Sequence, residues 1–246
     1  MPEGWRSHLD WTPLTEDAVD VWRLDLTVTE EDWEILSPDE SERARRIVRE
    51  GKRSQKASSR AQLRRILALY VDSEPASLRF EYGEHGKPQL ADHMDLSFNL
   101  SHSEKVGLVG VSRGVRIGID VEHARIGRDF SGLALRFFSP AESTALERLP
   151  EAERPSAFYR AWTCKEAYLK ALGTGLSFPS NAFTIEYAAG GPGRVTATDM
   201  PGDHPETWCF SDVDVSPDFA GAVCLEGPER SIRWWGPGGD RKGRGP

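Results

Sequence analysis

The chain carries VRIGIDVE at residues 115–122 and WTCKEAYLKALGTGL at 162–176, and these two stretches decide how it is read. In the first, apolar Ile119 and Val121 alternate with Asp120 and Glu122, and a strand of period two sends both acids to one face. In the second, Trp162, Glu166 and Lys170 fall at i, i+4 and i+8 and share one stripe of a helix, which Gly173 and Gly175 end as C-cap glycines do. Three carboxylates on two regular elements suit Mg²⁺, which takes hard oxygens and leaves its remaining positions to water and substrate phosphate. Each half also has a plain structural alternative: a wet strand face for Asp120 and Glu122, and a surface ion pair for Glu166 and Lys170. Trp162 in the same stripe argues for a half-buried face, where a surface pair is less expected. Lys165 lies on a different face and reads equally as a solvated lysine.

A second constellation lies upstream, in EHGKPQL (84–90) and FNLSHS (98–103). Gly86 lets the backbone approach an anion closely, Pro88 removes freedom after the lysine, and Lys87 supplies a compact charge. Ser101, His102 and Ser103 offer hydroxyl and imidazole donors. Each piece alone is also an ordinary turn or a satisfied structural group; together they read as phosphate handling.

The four motifs, in the order GKP, FNLSHS, GIDVE and WTCKEAYLKALGTGL, resemble those of the Sfp-type 4′-phosphopantetheinyl transferases, and WTCKEA resembles their W/KEA branch. The resemblance runs from about residue 37 to about residue 185. It implies an α+β fold of two similar halves related by a pseudo-twofold axis. Residues 1–113 would form the half with a basic coenzyme A-binding segment and 114–235 the half with the metal-binding acids; 236–246, rich in Gly, Pro and charge, is expected to be a disordered tail. It implies transfer of the 4′-phosphopantetheine arm of coenzyme A to a serine of an acyl or peptidyl carrier protein, releasing adenosine 3′,5′-bisphosphate. Asp120, Glu122 and Glu166 would hold Mg²⁺, Lys170 would contact the phosphates, and Gly86, Lys87, Pro88, Ser101 and His102 would grip the nucleotide end. Arg43 lies near where the family places a 3′-phosphate contact. Glu166, directly or through water, is the leading base for the serine proton; Glu142 is a second. The rivals are a Mg²⁺-dependent phosphohydrolase and a coenzyme A-binding protein without turnover.

The net charge is −8, yet Arg43, Arg45, Arg46, Arg49, Lys52, Arg53, Lys56, Arg60, Arg64 and Arg65 crowd one segment. A nucleic-acid arm and a solvated helix are two readings of such a run; the cofactor's phosphates are a third, favoured by the resemblance. No nucleic acid or membrane partner is expected. No apolar run is long enough to cross a bilayer and the N-terminus lacks signal-peptide features, so a cytosolic monomer is expected. Cys164, Cys209 and Cys224 lack ligand spacing and read as reduced thiols.

Ser37-Pro38-Asp39-Glu40-Ser41 recurs as Ser139-Pro140-Ala141-Glu142-Ser143, each with the Ser, Pro and Glu of a capping box. The same offset sets RAQLRRILAL (60–69) opposite WTCKEAYLKA (162–171). Strands are expected at 19–26, 78–82, 96–102, 106–112 and 115–122, then in AFTIEYA, TWCFSDVDV and FAGAVCLE. Helices are expected at 29–36, 38–50, 52–71, 129–137, 140–147 and 151–172. Phe137 and Phe138 read as core or as a greasy anchor for a partner.

Overall fold

In the computed structural model, which describes residues 5–187 and 193–236, one succession of elements occurs twice. After a short strand β1 (Arg6–Ser7) come β2 (Ala18–Asp25), α1 (Glu30–Ile35), α2 (Pro38–Arg45), α3 (Glu50–Val71), the hairpin β3 (Phe80–Tyr82) and β4 (Pro88–Leu90), and then β5 (Leu96–Ser103) and β6 (Val106–Arg113). The second pass is β7 (Ile117–His123), α4 (Phe130–Phe137), α5 (Pro140–Glu147), α6 (Arg154–Leu172), the hairpin β8 (Phe183–Tyr187) and β9 (Gly193–Thr198), then β10 (Trp208–Asp212) and β11 (Phe219–Glu226). Strand pairing repeats as well: β6 lies between β2 and β5, and β11 between β7 and β10, antiparallel throughout. With helices and antiparallel strands segregated in this way the chain is α+β.

Alternation along the strands stacks these parts in layers. Trp22 and Leu24 of β2 face Leu63, Leu67 and Tyr70 of α3, whereas Val19 and Val21 face the second sheet. In β7 the odd residues Ile117, Ile119 and Val121 join that core between the sheets. The even residues Gly118, Asp120 and Glu122 are thereby turned toward α6.

Both expected capping boxes are present. Ser37 and Ser139 accept from the N–H of Glu40 and Glu142 at 3.3 Å, and each glutamate accepts in return from the serine N–H. Each acid also holds a buried cation of the next long helix. Arg60 and Arg64 donate to Glu40, Arg64 at 2.7 Å, and Lys165 donates to Glu142 at 2.6 and 2.8 Å. Arg60 and Arg64 lie over Phe80 and Lys165 over Phe183, and the left-handed C-caps Asp72 and Gly173 stand equally far beyond Arg64 and Lys165. Arg64 therefore corresponds to Lys165, which corrects the sequence alignment by one residue: Glu166 stands opposite Arg65, not Arg64. Lys165 is also not a solvated lysine. It is 1% exposed, and burial pushes its pKa down to about 8 against the opposing pull of Glu142.

A strand absent from the sequence reading, β12 (Ser231–Gly236), pairs parallel with β2 and carries β1 at its outer edge. Trp235 is fully buried there, and its indole N–H donates to Asp20 at 2.8 Å beside the Arg233 guanidinium. The expected disordered tail otherwise falls on 237–246, outside the described residues. The helix expected at 38–50 ends at Arg45, with Arg46 its C-cap, and α3 starts at Glu50 after the extended Arg49. The helix expected from 151 begins at Arg154.

Lys165→Met strands the Glu142 carboxylate in the interior, and a loss of about 3–5 kcal/mol is expected. Urea unfolding should show it as a lowered midpoint that Lys165→Met combined with Glu142→Gln partly restores.

Candidate active site

Gly118 sets the site. A Cβ there would stand 1.9 Å from the carbonyl oxygen of Ala167 and 2.4 Å from the nitrogen of Ala171, so only glycine lets α6 lie this close on β7. The contact brings Glu166 and Lys170 of α6 over Asp120 and Glu122 of β7, as the two sequence periodicities require.

Asp120 is 3% exposed. Its Oδ1 accepts from Lys170 Nζ at 2.6 Å and from the Ser101 hydroxyl at 2.7 Å, and Lys170 also donates to Ser101 Oγ at 2.8 Å. Ser103 donates to Glu122 at 3.1 Å. These serines belong to a seam in which β5 side chains reach the backbone of β7. Asn99 Oδ1 accepts from the Ile119 N–H at 2.9 Å and Ser103 Oγ from the His123 N–H at 3.1 Å. Side chains thus join the two sheets where no ladder pairs them.

Asp120 Oδ2 is buried without a hydrogen-bond partner. Burial raises the pKa of Glu122, with Asp120 adding to it, and burial followed by Asp120 does the same for Glu166. The cluster is short of positive charge, and an oxygen-only donor set with an orphaned carboxylate oxygen fits a hard divalent cation. Among the described residues no three His, Cys, Asp or Glu side chains converge as they stand on an ion-sized point, and Lys170 meanwhile neutralises Asp120. Beside Glu122 opens a cavity of about 170 Å³ walled by Ser103, His123, Arg125, Arg128 and Trp162. Trp162 is half-buried, edge-on to Phe137, while Phe138 is core.

The basic segment divides into two sets. Arg60 and Arg64 are committed to Glu40, and Arg65 to Asp32, so the expectation that the whole run serves a cofactor is corrected for these three. Lys56 is different: burial first, then Arg60 and Arg43, lowers its pKa. His102 keeps an exposed edge, yet desolvation of its ring, then Lys56, Lys52 and Lys170, holds its pKa below the ordinary histidine value. Arg43, over the ring of Tyr82, Lys52, Lys56 and Lys170 therefore make one cationic surface running to the acids, with His102 as an imidazole donor within it.

Lys87 differs from its sequence expectation. Its ammonium donates to three backbone carbonyls, Ile117, Lys170 and Ala171, and so is not presented to solvent phosphate. Glu142, offered as a second base, accepts from Ser139 N, Ile185 N and Lys165 and lies in the hydrogen-bonded core of α5 and α6. Sequence reasoning missed Gly118, whose signal was a glycine on the acid-bearing face of a strand, and Asn99, whose seam contact is nonlocal. It named Lys52 and Lys56 only within the basic run. Cys209 and Cys224 are thiols outside any disulfide.

A family model, the 4′-phosphopantetheinyl transferase superfamily, matches residues 116–224, which span the acid-bearing face. The 4′-phosphopantetheinyl transferase HetI of Nostoc sp. is 41% identical over 171 residues, covering 67% of this chain and 72% of the relative. The 4′-phosphopantetheinyl transferase Sfp of Bacillus subtilis is 28% identical over 196 residues, 79% of this chain and 84% of the relative. Among solved structures, a holo-(acyl-carrier-protein) synthase from Bacillus anthracis in complex with CoA (3′,5′-ADP) matches at 24% identity and a TM-score of 0.38, covering 46% of this chain and 98% of that one. The chain belongs to the 4′-phosphopantetheinyl transferase family, and it is a transferase by that membership.

Gly118→Ala should force α6 off β7 and cost about 3 kcal/mol, at the upper end for overpacking because the obstacle is backbone. Thermal unfolding and transferase assay together check it: the folded fraction should lose activity even below the lowered melting temperature.

Proposed function

We propose that the face shared by β7 and α6 holds Mg²⁺ through Asp120, Glu122 and Glu166, and that the protein moves the 4′-phosphopantetheine arm of coenzyme A onto a serine hydroxyl of an acyl or peptidyl carrier protein. The observation that carries this reading is the orphaned Asp120 oxygen set among three acids and bordered by uncommitted cations. When bound, the metal supplies positive charge where the leaving phosphate becomes more negative.

The chain's own residues do the rest. Arg43, Lys52, Lys56 and His102 seat the 3′-phosphate and pyrophosphate, with the Gly86-Lys87-Pro88 turn and Ser101 bordering the nucleotide. Coenzyme A arrives as a polyanion, and this patch draws it in although the protein is acidic overall. Lys170 orients the pyrophosphate once the acids no longer depend on its charge. Glu166, set over the acids of β7 from α6, is the leading base for the proton of the incoming serine, directly or through water. Among the described residues no helix is long and apolar enough to cross a membrane, which suits two water-soluble substrates.

Incubation of apo carrier proteins with the protein, coenzyme A and Mg²⁺ should add one phosphopantetheine mass, read by intact mass, and a chelator should abolish the gain. Asp120→Asn and Glu166→Gln should each lower the rate by about 10²-fold or more, since each removes charge stabilisation from the transition state. Coenzyme A consumed without any mass gain would replace this reading by hydrolysis.

The raised carboxylate pKa values give a pH test. A carboxyl whose pKa rises on folding costs stability above its folded value, and the cost fades as pH falls through that value toward the ordinary one. Mg²⁺ relieves that cost, so its stabilising effect on the melting temperature should be full near neutral pH and should shrink as Glu122 and Glu166 take protons. An effect independent of pH would contradict the ligand set.

A further inference from the structure

We infer that Lys87 is a positioning residue for the transfer reaction: it ties the end of α6 to the start of β7 and thereby sets where Glu166 and Lys170 stand over Asp120. The inference rests on the functional reading above and adds a side chain whose ammonium reaches neither substrate nor metal.

Lys87 comes from the hairpin loop of the first half and reaches into the second. Its Nζ donates to Lys170 O at 2.7 Å, to Ile117 O at 3.1 Å and to Ala171 O at 3.2 Å. An ammonium has three N–H donors and all three are used. Two of the acceptors belong to the last turn of α6, where carbonyls lack helical partners and the helix dipole favours a cation. The third belongs to the first residue of β7, next to Gly118. One side chain thus grips both elements that carry the site, at the end where glycine lets them touch.

The surroundings make this grip specific. The lysine stem lies against Gly173, the C-cap of α6 in the left-handed region at φ 76°, and a Cβ there would meet Lys87 Cδ at 3.3 Å. The same loop is tethered a second time, by His85 Nδ1 to Ser177 Oγ at 3.1 Å. Burial and then Arg116 press the Lys87 pKa down to about 8. The charge is therefore held at a cost, which packing alone would not require. A phosphate could take this ammonium only if it abandoned the carbonyls that hold α6 in place. Its effect on chemistry runs through the backbone of Lys170, whose side chain reaches Asp120, and through Glu166 one turn earlier on the same helix.

Full-length wild type, Lys87→Met and Lys87→Arg would be compared by steady-state transfer to an apo carrier protein, by coenzyme A binding in calorimetry, and by binding of Mn²⁺ alone followed by electron paramagnetic resonance. Methionine keeps the length of the stem without the donors. The arginine fork keeps the charge but cannot set three donors on three divergent carbonyls. Loss of positioning should lower kcat at least about tenfold with the KM and Kd for coenzyme A within about twofold, the pattern of an interaction felt in the transition state. Mn²⁺ should bind more weakly to both variants. A phosphate contact predicts the reverse: KM and Kd rise in Lys87→Met, kcat holds, and Lys87→Arg recovers wild-type behaviour. That result overturns the inference, as does unchanged kcat and Mn²⁺ binding in both variants. If Lys87→Met does not fold, Lys87→Arg still decides, since it rescues a phosphate ligand and not a strap. Wild type that transfers nothing would sink the functional reading alone, because the Mn²⁺ comparison still tests whether Lys87 positions the acids.

Discussion

The site depends on the approach of one helix to one strand. At Gly118 the backbone of α6 occupies the space a side chain would fill, and that single close contact decides how high Glu166 and Lys170 stand above Asp120 and Glu122. The strand's alternation settles which face the acids take, and the helix period settles which residues meet them, but neither sets the distance between the two elements. The missing Cβ does, and the Lys87 contacts lie beside it. Around this contact the remaining polar atoms fall into place: Ser101 shares Asp120 with Lys170, and Asn99 and Ser103 tie β5 to β7.

Buried acids elsewhere in the chain show what a structural carboxylate looks like. Asp20 is fully buried, and its two oxygens receive Trp11, Tyr70, Arg233 and Trp235. Glu40 and Glu142 are similarly occupied by a serine N–H and by cations of α3 and α6. Each of these acids is matched, and burial is tolerable because it is matched. Asp120 is not: one oxygen is shared between two donors while the other has none. An unmatched acid in a group of three is costly to keep in a folded protein, and a divalent cation would remove that cost. Among these buried acids, completeness of hydrogen bonding, more than burial or motif, sets Asp120 apart.

Local pattern made much of this legible in the sequence. Strand alternation placed Asp120 and Glu122 on one face, helical spacing placed Glu166 and Lys170 together, and the two Ser-Pro-x-Glu segments announced helix starts through chemistry confined to four residues. What stayed hidden is nonlocal. Lys165 reads as a surface lysine until α5 brings Glu142 to it, and Lys87 reads as a phosphate ligand until the end of α6 closes over its loop. β12 is short and borders Gly and Pro, so its strand identity comes from the Asp20 carboxylate and the open edge of β2 that it joins. The alignment of the two halves slipped by one residue for a related reason: the offset of the two capping boxes was carried into the long helices, while the buried ion pairs fix those at another.

Corrected in that way, the duplication accounts for the asymmetry of the site. The matching capping boxes set Arg43 against Ala145, and the pairing of Arg64 with Lys165 sets Lys56 and Arg60 against Ala157 and Ala161. In the first half these positions are cations around Tyr82. In the second, the alanines line an apolar cavity of about 680 Å³ between α5, α6 and the β8–β9 hairpin, away from the acids of β7. Conversely, the helix position that carries Glu166 in the second half carries Arg65 in the first, where Asp32 neutralises it. At these matched positions one copy of the unit carries cations and the other carries alanines and Glu166, on the same scaffold and with the same capping acids. Under the proposed function a polyanionic substrate and a divalent cation would be held side by side, and like charges placed symmetrically on both halves would oppose one of the two. Dividing the charges between the copies would let each half bind one of them, with the tight seam of β5, β7 and α6 bringing both within reach.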